Sequence, residues 1–288
     1  MSLVPERSIR VAVVQAAAVP GEVAANAGTA AELVRRAGGD GARLAVLPEL
    51  FLPAYHPPVL GADPERCDVA AAEDGRVADS RLEPLRDASR DCGVIVLVGA
   101  SVRRHDGVRH CSALLVDPAG GVRAAYHKQH LCGADERRLF SPGGYGATLE
   151  LDGWRFGIGI CYDGCFPEHA RAAALAGAHG YLCPTAYVLG SEHRRDLYYA
   201  ARALDNSCYV GFANLVGGDG EWSFNGGSSI YDPQGRPVRR AADTGEAVMV
   251  AELDPALLTK TRADHRMLSD AVAQAPAEPA ERRTVRVS

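Results

Sequence analysis

Apolar residues are grouped along the chain in short continuous runs, separated by segments of helical period and by turn residues. The first run, IRVAVVQ at 9–15, is apolar on both faces, as expected of a strand covered on both sides. Runs of the same character predict strands at 44–47, 94–102, 111–116, 122–126, 147–151, 154–160, 181–183, 209–214, 227–231, 238–240 and 247–253. Helical spacing predicts helices at 26–37, closing on Gly38-Gly39, at 79–92, stopping at Gly93, and at 168–178, 192–206 and 255–268, the last with proline near its start. Asp117-Pro118-Ala119-Gly120-Gly121, Asp152-Gly153 and Asp232-Pro233-Gln234-Gly235 read as turns between paired strands. Residues 53–64 form a proline-rich loop, and 127–146 carries no clear period, which marks it as a functional-loop candidate.

Strands alternate with helices at both ends of the chain, with hairpins between, so the expected architecture is one α/β sandwich built on mixed sheets and spanning residues 1–270. The Ala/Pro/Arg-rich stretch 271–288 is a tail, expected to be disordered or packed on a neighbouring subunit.

Composition narrows the function. A net charge of −5 gives no electrostatic case for nucleic acid or an anionic membrane. No run approaches the roughly 20 apolar residues of a membrane span, and residues 1–10 lack the pattern of a secretory signal. The eight cysteines form no CxxC pair, so they are expected to be reduced thiols in a cytoplasmic protein. Cys161 and Cys165 have no companion ligands at zinc-like spacing, and neither a metal nor an organic cofactor is expected.

The chemistry centres on RFGIGICYDGCFPEHAR, residues 155–171. An apolar, glycine-spaced strand runs into Cys161, and Pro167-Glu168 begins a helix soon after. The carboxyl end of a buried strand is where α/β proteins place reactive groups. The helix start favours a thiolate, so Cys161 is a candidate nucleophile. Two other strand ends deliver complementary groups: Glu49 in LAVLPELFLPAY and Lys128 in AAYHKQHL. A lysine beside the thiol is expected to lower its pKa, and a carboxylate beside the lysine balances its charge.

PELFLPAY, HKQHL with the downstream Glu136…Phe140-Ser141-Pro142-Gly143, and GICYDGCFPEHAR together resemble the three hallmark segments of the nitrilase superfamily of carbon–nitrogen hydrolases. Further matches include Pro184-Thr185-Ala186, Ala201-Arg202-Ala203 with Asn206, and Gly226-Gly227-Ser228-Ser229-Ile230, and the resemblance covers about 9–257. It implies a four-layer α-β-β-α sandwich that dimerises sheet to sheet, as a homodimer or higher homo-oligomer. It also implies a Glu–Lys–Cys triad, with Glu49 as general base, Lys128 stabilising the tetrahedral intermediate and Cys161 as nucleophile. Glu136 matches a second carboxylate that orients the substrate, and the backbone N–H of Tyr162 matches an oxyanion donor.

The same resemblance bears on substrate. Tyr162-Asp163 after the nucleophile resembles the amidase and carbamoylase branches rather than true nitrilases, which carry Trp-Glu there. Gly164 and Cys165 stand where D-amino-acid carbamoylases carry adjacent arginines, and their small size leaves room for an acyl group. Tyr55, Tyr187, His193 and Trp222 are candidates for the pocket wall. The expected activity is hydrolysis of a small amide or N-carbamoyl compound through a cysteine thioester. A nitrilase and a non-catalytic binder of the same fold are the alternatives.

Overall fold

The computed structural model describes residues 4–273. In chain order the elements are β1 (Ile9–Gln15), α1 (Val23–Gly39), β2 (Leu44–Val46), α2 (Pro57–Ala62), α3 (Pro64–Cys67), β3 (Asp68–Ala71), α4 (Glu83–Cys92), β4 (Ile95–Arg104), β5 (Arg109–Val116) and β6 (Val122–His127). There follow α5 (Gly133–Leu139), β7 (Ala147–Leu151), β8 (Trp154–Ile158), α6 (Pro167–Leu175), β9 (Gly180–Thr185), α7 (Glu192–Asn206) and β10 (Tyr209–Asn214). Last come β11 (Val216–Gly217), β12 (Phe224–Asn225), β13 (Ser229–Tyr231), β14 (Pro237–Arg240), β15 (Ala247–Leu253), α8 (Pro255–Asp264) and α9 (Met267–Ala273).

Two mixed sheets form the centre. The first runs β15-β1-β2-β4-β5-β6, and β3 pairs with the far half of β4; the second runs β14-β13-β10-β9-β8-β7. Parallel pairs lie in the middle of each sheet, β1–β2 and β2–β4 in one, β8–β9 and β9–β10 in the other. Antiparallel strands close the edges.

The alternation along β1 shows how the layers are built. Val11 and Val13 point into a core between the two sheets, shared with Phe156, Ile158 and Leu182. Ala12 and Val14 point the other way, into a core closed by Leu33 and Val34 of α1 and Leu85 of α4. Behind the second sheet, Tyr181, Val210 and Phe212 pack on Ala170 of α6 and Tyr199 of α7. The order is therefore helix, sheet, sheet, helix within one chain, the four-layer mixed α/β arrangement expected.

This order corrects one expectation. Each sheet gives one face to the other sheet and one to helices, so the sheet-to-sheet contact lies inside the chain and is not a dimer interface. Six elements lie outside the expected ones: β3, α2, α3, α5 and the two-residue strands β11 and β12. β3 is short and carries a buried aspartate, Asp68, held by Ser101 and Arg109. α2 lies in the proline-rich loop, where the His56 side chain accepts from the Val59 N–H and Pro57 takes the first helical position. α5 lies in the aperiodic loop and is too short to show a period. The helix expected at 255–268 ends at Asp264 and resumes as α9. Of the expected tail at 271–288, residues 271–273 close α9 and the remainder lies outside the described residues.

Candidate active site

The backbone brings Glu49 inward by an unusual path. Glu49 follows β2, its N–H donates to Thr185 O of the second sheet at 3.3 Å, and Leu50 has φ +49. A left-handed backbone at a bulky residue is strained and needs its surroundings to hold it. Gly99 of β4 does so: its N–H donates to Pro48 O at 3.1 Å and its carbonyl accepts from Leu52 N at 3.0 Å.

Lys128 follows β6. Its N–H donates to Cys111 O at 2.9 Å and its carbonyl accepts from Gly143 N at 2.8 Å, which anchors the start of the aperiodic stretch. The side chain is fully buried, and Nζ donates to Glu49 Oε1 at 2.6 Å and to Glu136 Oε1 at 2.8 Å. One ionised carboxylate balances the buried ammonium, and the second leaves the set one negative charge in excess. Glu136 lies on the inner side of α5, while its neighbour Asp135 pairs with Arg138 at the surface. Glu136 also accepts from Tyr55 Oη at 2.7 Å and, on Oε2, from Cys132 N at 2.8 Å.

Cys161 closes the set. It is half-buried with φ +46 and opens a 3-10 turn, Cys161–Cys165, between β8 and α6. α7 satisfies the turn's carbonyls: Tyr199 Oη donates to Cys161 O at 3.1 Å, and Arg202 donates to Gly164 O at 3.0 Å and Cys165 O at 2.9 Å. The thiol is near enough to Glu49 for a hydrogen bond from it to stabilise the carboxylate, and it also feels the charge of Lys128. The three strand ends named from the sequence thus meet in one place, two from the first sheet and one from the second.

The electrostatics bear out the expected pull of Lys128 on the Cys161 thiol but show it outweighed. Burial, and then the negative charge of Glu49, push the Cys161 thiol well above its ordinary value, and Lys128 with a hydrogen bond from the Ala186 backbone does not offset them. The resting group is the thiol, not the thiolate. Burial likewise raises Glu49 to about 7, with Glu136 adding to the rise and Lys128 opposing it. Burial opposes the charge on Lys128, but Glu136 and Glu49 outweigh it and hold the ammonium well above the ordinary lysine value. The site therefore pairs a protonated thiol with a carboxyl poised to take its proton near neutral pH.

Tyr162, directly after Cys161, is half-buried, its ring edge-on to Phe166 at 4.9 Å. Tyr55 packs against Trp222 at 5.6 Å and Phe224 at 6.0 Å, so an aromatic wall leads to Glu136. Cys165 Sγ and Tyr187 Oη are 3.2 Å apart. Gly164 is buried, and a Cβ there would lie 2.7 Å from the Tyr199 ring, so its small size makes room for Tyr199 rather than for a ligand. His193 is exposed at the start of α7. Cys111, whose Sγ donates to Glu49 Oε1 at 3.6 Å, was read from the sequence only as a strand residue, since nothing in an apolar run distinguishes it. Among the described residues no group of three or more histidine, cysteine, aspartate or glutamate side chains is placed to hold a metal ion. No helix among them is long and apolar enough to cross a membrane.

A four-layer sandwich that gathers an acid, an amine and a thiol at its strand ends defines a class of hydrolytic α/β protein. The chain belongs to the carbon-nitrogen hydrolase family, whose pattern matches residues 10–263, and it falls in the amidase branch of the nitrilase superfamily. It is 37% identical over 265 residues to a Pseudomonas protegens protein called "Hydrolase in pqqF 5'region", covering 92% of this chain and 89% of that one. It is 33% identical to an (R)-stereoselective amidase of a Pseudomonas species, covering 91% of each chain. Among solved structures, an amidase from Nesterenkonia sp. AN1, with acrylamide added at its active site cysteine, aligns with a TM-score of 0.76 at 30% identity, covering 90% of this chain and 98% of that one.

Proposed function

We propose that the protein hydrolyses a small amide through a thioester on Cys161, with Glu49 as general base and acid, Lys128 and the Tyr162 N–H as oxyanion donors, and Glu136 holding the substrate amide. The observation that carries this reading is the buried Lys128 ammonium, bonded to both Glu49 and Glu136 beside the Cys161 thiol.

Glu49 takes the thiol proton as sulfur attacks the carbonyl carbon. The resulting oxyanion is stabilised by the ammonium and the backbone N–H. Glu49 then gives its proton to the departing nitrogen as the C–N bond breaks, and ammonia or an amine leaves. Water next loses a proton to Glu49 and attacks the thioester; the C–S bond breaks and the proton returns to sulfur. Each step uses groups of this chain, and neither a metal nor an organic cofactor is called for. The amidase names among its relatives and the Tyr162-Asp163 pair support an amide over a nitrile.

We further propose a homodimer acting in the cytoplasm. Leu175 of α6, Leu197 and Leu204 of α7 and Met267 of α9 are large apolar side chains exposed on the helical layer, which supports self-association through it. Sedimentation would read the stoichiometry. For the activity, Cys161→Ala is expected to abolish ammonia release from amides while leaving the circular dichroism spectrum unchanged; retained turnover refutes the assignment. Matched amide, N-carbamoyl and nitrile substrates offered to the same enzyme separate the substrate classes.

A further inference from the structure

Asp163 is wholly buried and lies two residues after the proposed nucleophile. Among the described residues no lysine or arginine pairs with it; instead it gathers four hydrogen bonds. Oδ2 accepts from Ile160 N at 3.0 Å and from Tyr126 Oη at 2.7 Å. Oδ1 accepts from His130 N at 2.9 Å and His130 Nδ1 at 2.8 Å. The Asp163 N–H in turn donates to Ile160 O at 3.0 Å. The Ile160–Asp163 exchange closes a ring around Cys161 and Tyr162, the residues that supply the sulfur and one oxyanion donor. Its other bonds reach Tyr126 of β6 and His130, which flank Lys128 on both sides in sequence.

A polar chain continues behind it. Tyr126 Oη lies 2.9 Å from His169 Nε2, and His169 Nδ1 lies 2.9 Å from Tyr181 Oη. Tyr126 spends its proton on Asp163, so it accepts from His169 Nε2–H, and Tyr181 must donate to His169 Nδ1. His169 is thereby a neutral ring in one tautomer, in keeping with the lowering of its pKa, which burial dominates. The chain ties β6 of the first sheet to α6 and β9 of the second. Gly159 leaves room for it, since a Cβ there would lie 1.9 Å from Tyr181 Oη.

We infer that Asp163 is a positioning residue that holds the left-handed Cys161 and the Tyr162 amide in register with Lys128 across the two sheets. This rests on the reading of Cys161 as the nucleophile. Asp163 touches no reacting atom; it fixes the distance between groups that do.

Asp163→Asn preserves shape but turns an amide NH2 toward donors that need an acceptor. It is expected to lower kcat by about 100-fold, the scale of a misplacement of roughly 1 Å, with KM within about threefold of wild type. The rate of acyl-enzyme formation in a single turnover, followed by intact mass, should fall by the same factor. The acid limb of the pH profile should not move, because Glu49 is untouched. A folded Asp163→Asn protein with wild-type kcat overturns the inference, as does a shifted acid limb, which would mark Asp163 as a proton-transfer group. If that variant does not fold, Tyr126→Phe, which removes one donor of four, decides: reduced kcat at a temperature well below its Tm supports positioning, and wild-type kcat with only a lower Tm overturns it. Cys161→Ala separates the two claims. If it is inactive while the Asp163 variants are unimpaired, only the positioning role fails; if it stays active, the proposed function fails and the inference with it.

Discussion

Gly99 and Glu49 pack backbone on backbone: a Cβ on Gly99 would lie 2.6 Å from the Glu49 carbonyl carbon and 2.3 Å from both the Leu50 nitrogen and the Pro48 oxygen. The position of the proposed base is thus set by what residue 99 lacks. Gly99→Ala must push the Pro48–Leu50 peptide away, because backbone cannot swing aside as a flexible side chain can. The expected cost is about 1–3 kcal/mol of stability, typical of overpacking. Activity should fall by more than stability implies, since the displaced group is Glu49. Thermal unfolding together with kcat/KM on one amide checks this; a variant with wild-type kcat/KM contradicts it.

Lys128→Met should be more damaging than the loss of one surface charge. It leaves Glu49 and Glu136 buried and facing each other without their shared cation, and breaking a buried pair in this way costs about 3–5 kcal/mol. The double variant Lys128→Met/Glu136→Gln removes one of the stranded charges and should recover much of the melting temperature without recovering amide turnover. Denaturant titration of both variants makes the comparison.

Activity should depend on pH through Glu49. Its carboxyl, lifted to about 7 mainly by burial, must be ionised to accept the thiol proton. In the free enzyme kcat/KM should therefore rise with pH through about 7 and level above it. For stability the sign is opposite. A carboxyl whose folded pKa is raised above 4.5 favours the folded state while protonated, and this contribution is lost as pH rises from 4.5 past about 7. Between those values the chain should gain catalytic competence while losing the contribution of this one group to stability. Glu49→Gln should remove the acid limb along with most of the turnover.

Tyr55→Phe removes the hydroxyl donated to Glu136 Oε1 but keeps the ring against Trp222 and Phe224. A hydrogen bond to a charged group contributes about 1.5–3 kcal/mol, so kcat/KM should fall roughly 10- to 100-fold if Glu136 holds the substrate amide. Steady-state kinetics with a short aliphatic amide reads this. Unchanged kinetics would remove Glu136 from the substrate-holding role.

Much of the fold was legible because its central strands are covered on both faces and appear as unbroken apolar runs. The bounds expected for β1, β7, α7, β10 and β15 are those observed. Legibility failed where polar contacts rather than periodicity build the element. β3 exists around Asp68 and its arginine partners, and α5 is one short helix whose inward residue is an acid. At the site, Glu49, Lys128 and Cys161 could be named because each ends a strand, and the structure brings them together. Cys111 and Gly99 could not, and Asp163 reads from the sequence only as a marker of substrate class, since what matters is which groups of other strands pack on them. The net balance at the thiol is not legible for a related reason. Sequence showed the lysine expected to stabilise the anion, but not the depth of burial or the nearness of Glu49 that oppose it.

That protonation has a consequence between turnovers. Peroxide and other electrophilic oxidants react with thiolate far faster than with thiol. With its pKa raised, the Cys161 thiol offers little of the form they attack until, on the proposed roles, Glu49 draws its proton away. On the proposed roles, the need for a base to draw off the proton would also spare the idle protein from sulfenic and sulfinic damage.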